Sequence, residues 1–391
     1  MKNILLYYSF GFALGGGDYL PLAFISALQR KCNLTLAVDV AGNIERSIKA
    51  FGSGLDIDMT NLRIVQVTPP GYDPKRHNVL VSLYRFRRLK KLARNADVCI
   101  SAASIMDFGK PAHHFINMLA FGDDTFTAYV RNDALRARAG ILATFKRFAS
   151  NSILRPLLGM RSKRSLICDR RQHFYPNSRY VEELMTRFYG PFNSTVFYPP
   201  TLFEPNNAIS VERDPLRVVY IGRIIPEKRI EDLIDIVEKT RAATGLPITF
   251  HLAGRLDQTP KYGKKLEAMA REREWLNFVG AQYGDDKSIF LTSGTFALHA
   301  ERDEAFGIAV AEYLVAGLIP IVPDEGGTPE VVGSPALAYH ANEDAVQILA
   351  RLAKDCSFRE EQRRLCAEHA KLFTRDAYIE RQRRLLLGIV G

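Results

Sequence analysis

Short apolar runs rich in β-branched residues alternate with longer helix-like segments along almost the whole chain, and this alternation narrows the possible folds more than any other feature. Candidate strands fall at 3–8 (NILLYY), 34–40, 62–67, 97–101 and 112–118, then at 173–176 and 195–198 after a basic helical stretch. A second series follows at 216–221 (LRVVYI), 248–253, 276–279, 295–298 and 319–322. Strands of this kind separated by helices predict parallel sheets covered on both faces. Between the two series, residues 198–215 (YPPTLFEPNNAISVERDP) hold four prolines and two asparagines without periodicity, which marks a linker. A chain of 391 residues exceeds one ordinary core. The expectation is therefore α/β: two doubly wound Rossmann-like domains facing across a cleft, with ligands at the carboxyl ends of the strands. The domains are placed at 1–198 and 199–375, with a C-terminal helix, 376–391, packing back on the first.

Composition excludes several classes. Hydrophobic content of 47% and charged content of 25% are those of a globular protein. The first apolar run is short, is interrupted by Gly15-Gly16-Gly17 and lacks a small-residue cleavage pattern, so it reads as a buried strand rather than a signal peptide. No stretch approaches the roughly 20 apolar residues that span a bilayer. The five cysteines (Cys32, Cys99, Cys168, Cys356, Cys366) are odd in number and scattered, which suggests free thiols in a reducing, cytoplasmic setting and argues against zinc. The net charge of +10 is local. Residues 75–94 carry eight Lys/Arg and no acid, residues 134–171 carry ten against one Asp, and the rest of the chain is net acidic at −7. Such segments point to an anionic surface or ligand.

Two stretches carry chemistry. In VVYIGRIIPEKRIEDLIDIV (218–237), a strand ends at Gly222 and is followed by Arg223, Lys228 and an amphipathic helix. Two cations beside a helix N-terminus suit a diphosphate, whose oxygens accept charge-assisted hydrogen bonds; a solvated basic loop is the plainer alternative. In LHAERDEAFGIAVAEYLVAGLIPIVPDEGGTPEVV (298–332), Glu304 precedes a helix with Ala305-Phe306-Gly307 as its expected first turn, and Glu312 lies inside it. Free N–H groups there can bind phosphate or sugar oxygens, and an ionised Glu312 suits a ribose diol. Two glutamates on a helix are more often a solvated face, but the apolar neighbours Ile308, Val310, Tyr313 and Leu314 argue against that.

The pattern E-x-F-G-x-x-x-x-E (Glu304 to Glu312), followed by A-G-x-x-P (Ala316 to Pro320) and G-G-x-x-E (Gly326 to Glu330), resembles the signature of family 4 glycosyltransferases, which retain anomeric configuration and have the GT-B fold. GRIIPEK resembles the family's diphosphate clamp, NSRYVEELMTRFYG with VFYPP its hinge approach, and FALGGGDYL its Gly-rich loop. The resemblance implies that Arg223 and Lys228 hold the donor diphosphate beside Gly222, that Glu312 binds the ribose, and that Glu304 with the backbone of Phe306 and Gly307 contacts the sugar. Gly16 and Gly17 would approach the diphosphate from the other domain on closure. The base would lie against Gly254, Arg255 and the loop from Val279 to Tyr283. It further implies a nucleotide diphosphate sugar as donor, UDP- or GDP-linked, with charge on the leaving diphosphate stabilised without a metal. The D-x-D spacing Asp56-Ile57-Asp58 reads as a solvated turn.

On the acceptor side the match to the family loosens. His113 and His114 begin the strand at whose end relatives carry a histidine, Asn117 stands nearer that end, and Asp18 replaces the usual Glu. In 83–95 and 141–165, cations interleave with Leu, Tyr and Phe; such stretches bind anionic membrane surfaces or are ordinary amphipathic helices over a core. No nucleic-acid module is visible. The expectation is a transferase peripheral on the inner face of a membrane, acting on a sugar or lipid-linked acceptor in polysaccharide or glycolipid assembly. A nucleotide-sugar epimerase or phosphorylase on the same scaffold, and a catalytically silent membrane- or partner-binding relative, are the rivals.

Overall fold

The structure, a computed structural model, describes residues 1–9, 12, 16–40, 42–52, 54–60, 62–73, 79–102, 104–117, 159–201, 203–204, 211–256 and 260–390. The chain divides into two compact units, Met1–Pro199 with Ile379–Gly391, and Pro200–Tyr378. Each is built on a six-stranded parallel sheet. In the first, β1 (Asn3–Tyr8), β2 (Asn33–Val38), β3 (Arg63–Gln66), β4 (Val98–Ser101), β5 (His113–Ile116) and β6 (His173–Pro176) lie in the order β3-β2-β1-β4-β5-β6. In the second, β7 (Arg217–Ile221), β8 (Thr249–Ala253), β9 (Leu276–Gly280), β10 (Phe296–Leu298), β11 (Ile319–Pro323) and β12 (Ala338–Tyr339) lie in the order β12-β11-β10-β7-β8-β9.

Counted within its own unit, each sheet runs 3-2-1-4-5-6. After two strands laid outward on one side of the first, the chain crosses to the other side, so neighbouring loops at β1/β4 and at β7/β10 diverge and leave a crevice at the strand ends. Burial on both faces explains the apolar runs: all five residues of β11 are buried, as are Ile4 to Tyr8 of β1.

Several details differ from the sequence reading. Residues 195–198 form no strand. Ser194 makes a single parallel bridge with Phe174, and the Thr195 and Phe197 amides donate to the Phe174 and Pro176 carbonyls at 3.0 and 2.8 Å before Pro199 and Pro200 remove the next donors. β12, at two residues, is too short to show as an apolar run; its Tyr339 is buried and donates to the His299 carbonyl at 2.8 Å.

The basic segment 83–95 falls in a helix, Val79–Ala93. Its Ser82, Phe86, Leu89 and Ala93 are buried, and Leu89 and Ala93 pack with Leu5, Tyr7 and Val67, Leu92 lying partly buried against them. Most of the apolar residues that alternate with its cations therefore serve the core. Arg85 also turns inward, to Asp39 at 2.9 Å, whereas Leu80, Tyr84, Arg87, Arg88 and Lys91 are exposed. Of the segment 141–165, residues 141–158 lie outside the described residues, as do 13–15 of the Gly-rich loop. The five cysteines are free, three buried and two exposed. Asp56 pairs with Arg30 at 2.7 Å and the Asp58 carboxylate accepts from the Thr60 amide at 2.9 Å, a solvated turn.

Gly254 marks the tightest backbone approach near the β7/β8 ends: a Cβ there would run into the Gly222 carbonyl oxygen and the Ile224 side chain. Gly254→Ala is expected to destabilise the second unit by about 1–3 kcal/mol, the usual cost of overpacking. An unchanged denaturant midpoint would show that these strand ends part freely.

Candidate active site

The crevice of the second unit gathers the polar residues. From β7 the chain passes Gly222 and exposed Arg223 into a short turn, Pro226–Lys228. Arg229 then adopts a left-handed conformation (φ 50°) that reverses the chain into the helix Ile230–Thr244. For a residue with a side chain that conformation costs roughly 1–2 kcal/mol, so the turn is held by its surroundings. Ile230, Leu233 and Ile234, fully buried, supply the hold.

From β10, the neighbouring strand, the chain passes His299, Glu301 and Glu304 to Gly307. Gly307 (φ 91°) caps the helix Ile308–Val315, so residues 305–307 precede that helix instead of forming its first turn. No side chain caps it, and its first N–H groups have no intrahelical acceptor. The pair Gly326-Gly327 fixes the loop from behind. The Gly327 amide donates to the Glu304 carbonyl at 2.8 Å, and a side chain at 326 would strike the Arg302 and Glu304 carbonyls.

At the centre is the Lys228 ammonium. It bonds Glu304 Oε2 at 2.6 Å and also reaches Glu301 Oε2, with all three side chains mostly buried. Burial would lower Lys228, but the two carboxylates outweigh it and keep it charged. Burial would likewise raise Glu304; Lys228 and a hydrogen bond with Glu301 instead hold its carboxyl well below the usual range. Glu301 goes the other way, pushed up to about 7 by burial and by the Glu304 carboxylate. His299, 2% exposed, lies with Nε2 3.7 Å from Glu304 Oε2, and burial beside Lys228 pushes it down to about 4, so the ring is neutral. His299, Glu301 and Glu304 each offer an atom within 4.8 Å of the others, and the Lys228 ammonium bonds the two carboxylates of that group.

Glu312, 5% exposed, gives Oε1 to Lys287 at 2.7 Å. Tyr313, one residue on, accepts the Ile221 amide at 2.8 Å and ties the helix to the end of β7. Gly254 and exposed Arg255 follow β8; Val279 and Tyr283, 39% and 72% exposed, lie at the end of β9 and just after it. The Phe306 ring is buried against Phe373, so only its backbone is available to a ligand.

In the first unit, Gly16 and Gly17 open a short turn through Asp18 after β1. A Cβ at Gly17 would meet only the Tyr8 hydroxyl, at an ordinary 3.8 Å. Asp18, expected on the acceptor side, is instead 1% exposed and accepts from Tyr8 at 2.7 Å and Ser47 at 2.8 Å. His114 is likewise a core residue: it is fully buried, stacked on Phe174 and bonded to Gln172 at 3.0 Å, and burial pushes it down to about 3. His113 bonds the Tyr175 hydroxyl at 3.0 Å and begins β5, at the opposite end from the crevice. Asn117, just past the end of β5, is half-buried and donates to the Ala102 carbonyl at 3.2 Å.

Residues 204–373, which include this whole cluster, match the family described as Glycosyl transferases group 1. That stretch is similar to a group 1 glycosyltransferase domain. The GDP-Man:Man(3)GlcNAc(2)-PP-Dol alpha-1,2-mannosyltransferase of Candida glabrata is 30% identical to it over 145 residues, 34% of this chain and 29% of that protein. The phosphatidylinositol N-acetylglucosaminyltransferase GPI3 subunit of Saccharomyces cerevisiae is 25% identical over 155 residues, 37% and 34% of the two chains. The chain thus spans about a third of the length of these curated relatives. Among solved structures, Anabaena HepE in complex with UDP and glucose is similar with a TM-score of 0.65 at 14% identity, over 99% of this chain and 100% of that one. WaaG, a glycosyltransferase involved in lipopolysaccharide biosynthesis, gives 0.63 at 15% identity over the whole of both chains. These likenesses establish the fold, the two Rossmann-like domains of GT-B glycosyltransferases.

Within the matched stretch, the sequence reading passes over Glu301 and Lys287. Glu301 carries a signal, since it lies three residues before Glu304 on the same loop. Lys287 carries none, because its helix, Gly284–Thr292, meets Glu312 only through folding. Lys287→Met leaves that carboxylate without its cation and is expected to destabilise the domain by roughly 1–3 kcal/mol, less than a fully buried pair because Lys287 is partly exposed. Lys287→Met/Glu312→Leu should recover part of the loss in denaturant unfolding; additive losses would show that the two do not interact.

Proposed function

We propose that the protein is a retaining, metal-independent glycosyltransferase that moves a sugar from a UDP- or GDP-linked donor to a lipid-linked acceptor at a membrane surface. The observation that carries this reading is the Lys228 ammonium, held between Glu301 and Glu304 at the crevice of the second unit; Arg223 shortly precedes Lys228 in the chain, and the uncapped helix N-terminus at Gly307 shortly follows Glu304. Leaving of the diphosphate develops negative charge on its oxygens. Arg223, Lys228 and the N–H groups of the first helical turn supply compensating positive charge from preset positions. Such a set performs without a metal what a bound divalent ion does elsewhere.

In this reading Glu304 accepts from donor-sugar hydroxyls and the second oxygen of Glu312 accepts from the ribose. Val279 and Tyr283 lie against the base. The first unit takes the acceptor, with Asn117 on that side. Retention follows from attack on the face the diphosphate leaves, with a diphosphate oxygen taking the acceptor proton. The names of the curated relatives support the acceptor class: one names a glycan linked to PP-Dol, the other phosphatidylinositol. Among the described residues no helix is long and apolar enough to cross a membrane. The exposed Leu80, Tyr84, Arg87, Arg88 and Lys91 of the helix Val79–Ala93 would meet the anionic surface, in a cytoplasmic location.

Two measurements test this. A thermal-shift series with UDP, GDP, ADP and their sugar conjugates should give a stabilisation with one base that survives EDTA and is lost in Lys228→Ala. Loss with EDTA would replace the metal-free clamp, and no shift with any nucleotide would favour a catalytically silent binding protein. In co-sedimentation, the protein should prefer vesicles containing phosphatidylglycerol, and Arg87→Glu/Arg88→Glu/Lys91→Glu should weaken that preference by roughly 1 kcal/mol or more per cation. Equal binding to neutral vesicles would remove the electrostatic part of the membrane reading.

A further inference from the structure

Two carboxylates and one ammonium do not balance. While Lys228 stays between Glu301 and Glu304, the two carboxylates share its one positive charge. On the donor-site reading, the diphosphate recruits that ammonium. Two mostly buried carboxylates on one loop, three residues apart and hydrogen-bonded to each other, are then left without their shared cation. Like charges in such a site cannot both persist, and the usual remedy is one proton on one of them.

The surroundings decide which of the two accepts it. The groups facing the pair are Lys228 from the turn, Tyr220 from β7, and His299 on their own loop. Tyr220 is held protonated by burial beside the glutamates, and His299 is held neutral by burial beside Lys228. Glu304 is the stronger acid of the pair, and Glu301, nearer neutrality, is the group with a charge free to change.

We infer that Glu301 is a positioning residue that takes a proton from solvent as the donor diphosphate recruits Lys228, and then donates a hydrogen bond to Glu304. In this arrangement an O–H bond forms on Glu301, no other bond changes, and the Glu304 carboxylate stays ionised and fixed as an acceptor for donor-sugar hydroxyls. Glu301 thus makes donor binding pH-linked. The inference rests on the donor-site reading.

The test is titration calorimetry of the full chain with UDP-glucose and GDP-mannose, whose esterified diphosphates do not titrate near neutrality, in HEPES and Tris at pH 8 and in buffers of differing ionisation enthalpy at pH 6. Wild type should take up about one proton per donor bound at pH 8 and markedly less at pH 6. Its affinity should fall about tenfold per pH unit above 8, the slope for one proton. Glu301→Gln, which keeps the hydrogen-bond donor and removes the titration, should bind with no proton uptake and a flat pH profile. Donor binding by wild type without uptake, or uptake that survives in Glu301→Gln, overturns the inference and leaves the donor site standing. Binding of neither sugar nucleotide by wild type overturns both. If Glu301→Gln does not fold, the comparison of wild type at pH 6 and 8 still decides.

Discussion

Every strand pair in both sheets is parallel, and the position of the polar cluster depends on that constraint. A parallel strand needs a crossover to return, and the crossovers cover both faces of the sheet. Polar groups are therefore driven off the faces and onto the loops at the strand ends. Where the strand order reverses, at β1/β4 and β7/β10, neighbouring loops part and leave room for a ligand. In the second unit the loops after β7 and β10 are the ones that carry Arg223, Lys228, Glu301 and Glu304.

Within that crevice the arrangement is electrostatic. A lysine, mostly buried, is kept charged by two glutamates, one of which it holds ionised, while the other lies near neutrality. The backbone is set to serve this cluster. Arg229 takes a left-handed conformation directly after Lys228, Gly307 leaves a helix N-terminus uncapped, and Gly326 and Gly327 bring a second loop against the carbonyls of the first. Cationic side chains and free main-chain N–H groups thus lie on the same strand-end loops, in the stretch that matches Glycosyl transferases group 1.

The residues hardest to place from sequence are those whose role depends on direction. His113 and His114 lie on a strand, but both stand at its beginning, so one stacks in the core and the other bonds Tyr175. Asp18 sits beside a glycine-rich loop yet is consumed by the Tyr8 and Ser47 hydroxyls. In the helix Val79–Ala93 the same residues that suggest a membrane face largely fill the core, leaving Leu80 and Tyr84 beside the outward cations. Sequence spacing shows that a helix is amphipathic but does not say what its apolar side meets.

Local order was legible because it depends on neighbours in the chain. Among the described residues the apolar runs marked eleven of the twelve strands, the prolines of 198–215 set that stretch apart from the periodic segments, and Gly222, Arg223, Lys228, Glu304 and Glu312 stood out by type and spacing. Tertiary structure alone decided who shares a charge with whom. Glu301 joins Lys228 across 73 residues of chain, and Lys287 joins Glu312 across 25. Such pairings are set by which strand ends the topology brings together, and the charges placed beside each group there, not the residue type, determine which carboxyl keeps its proton.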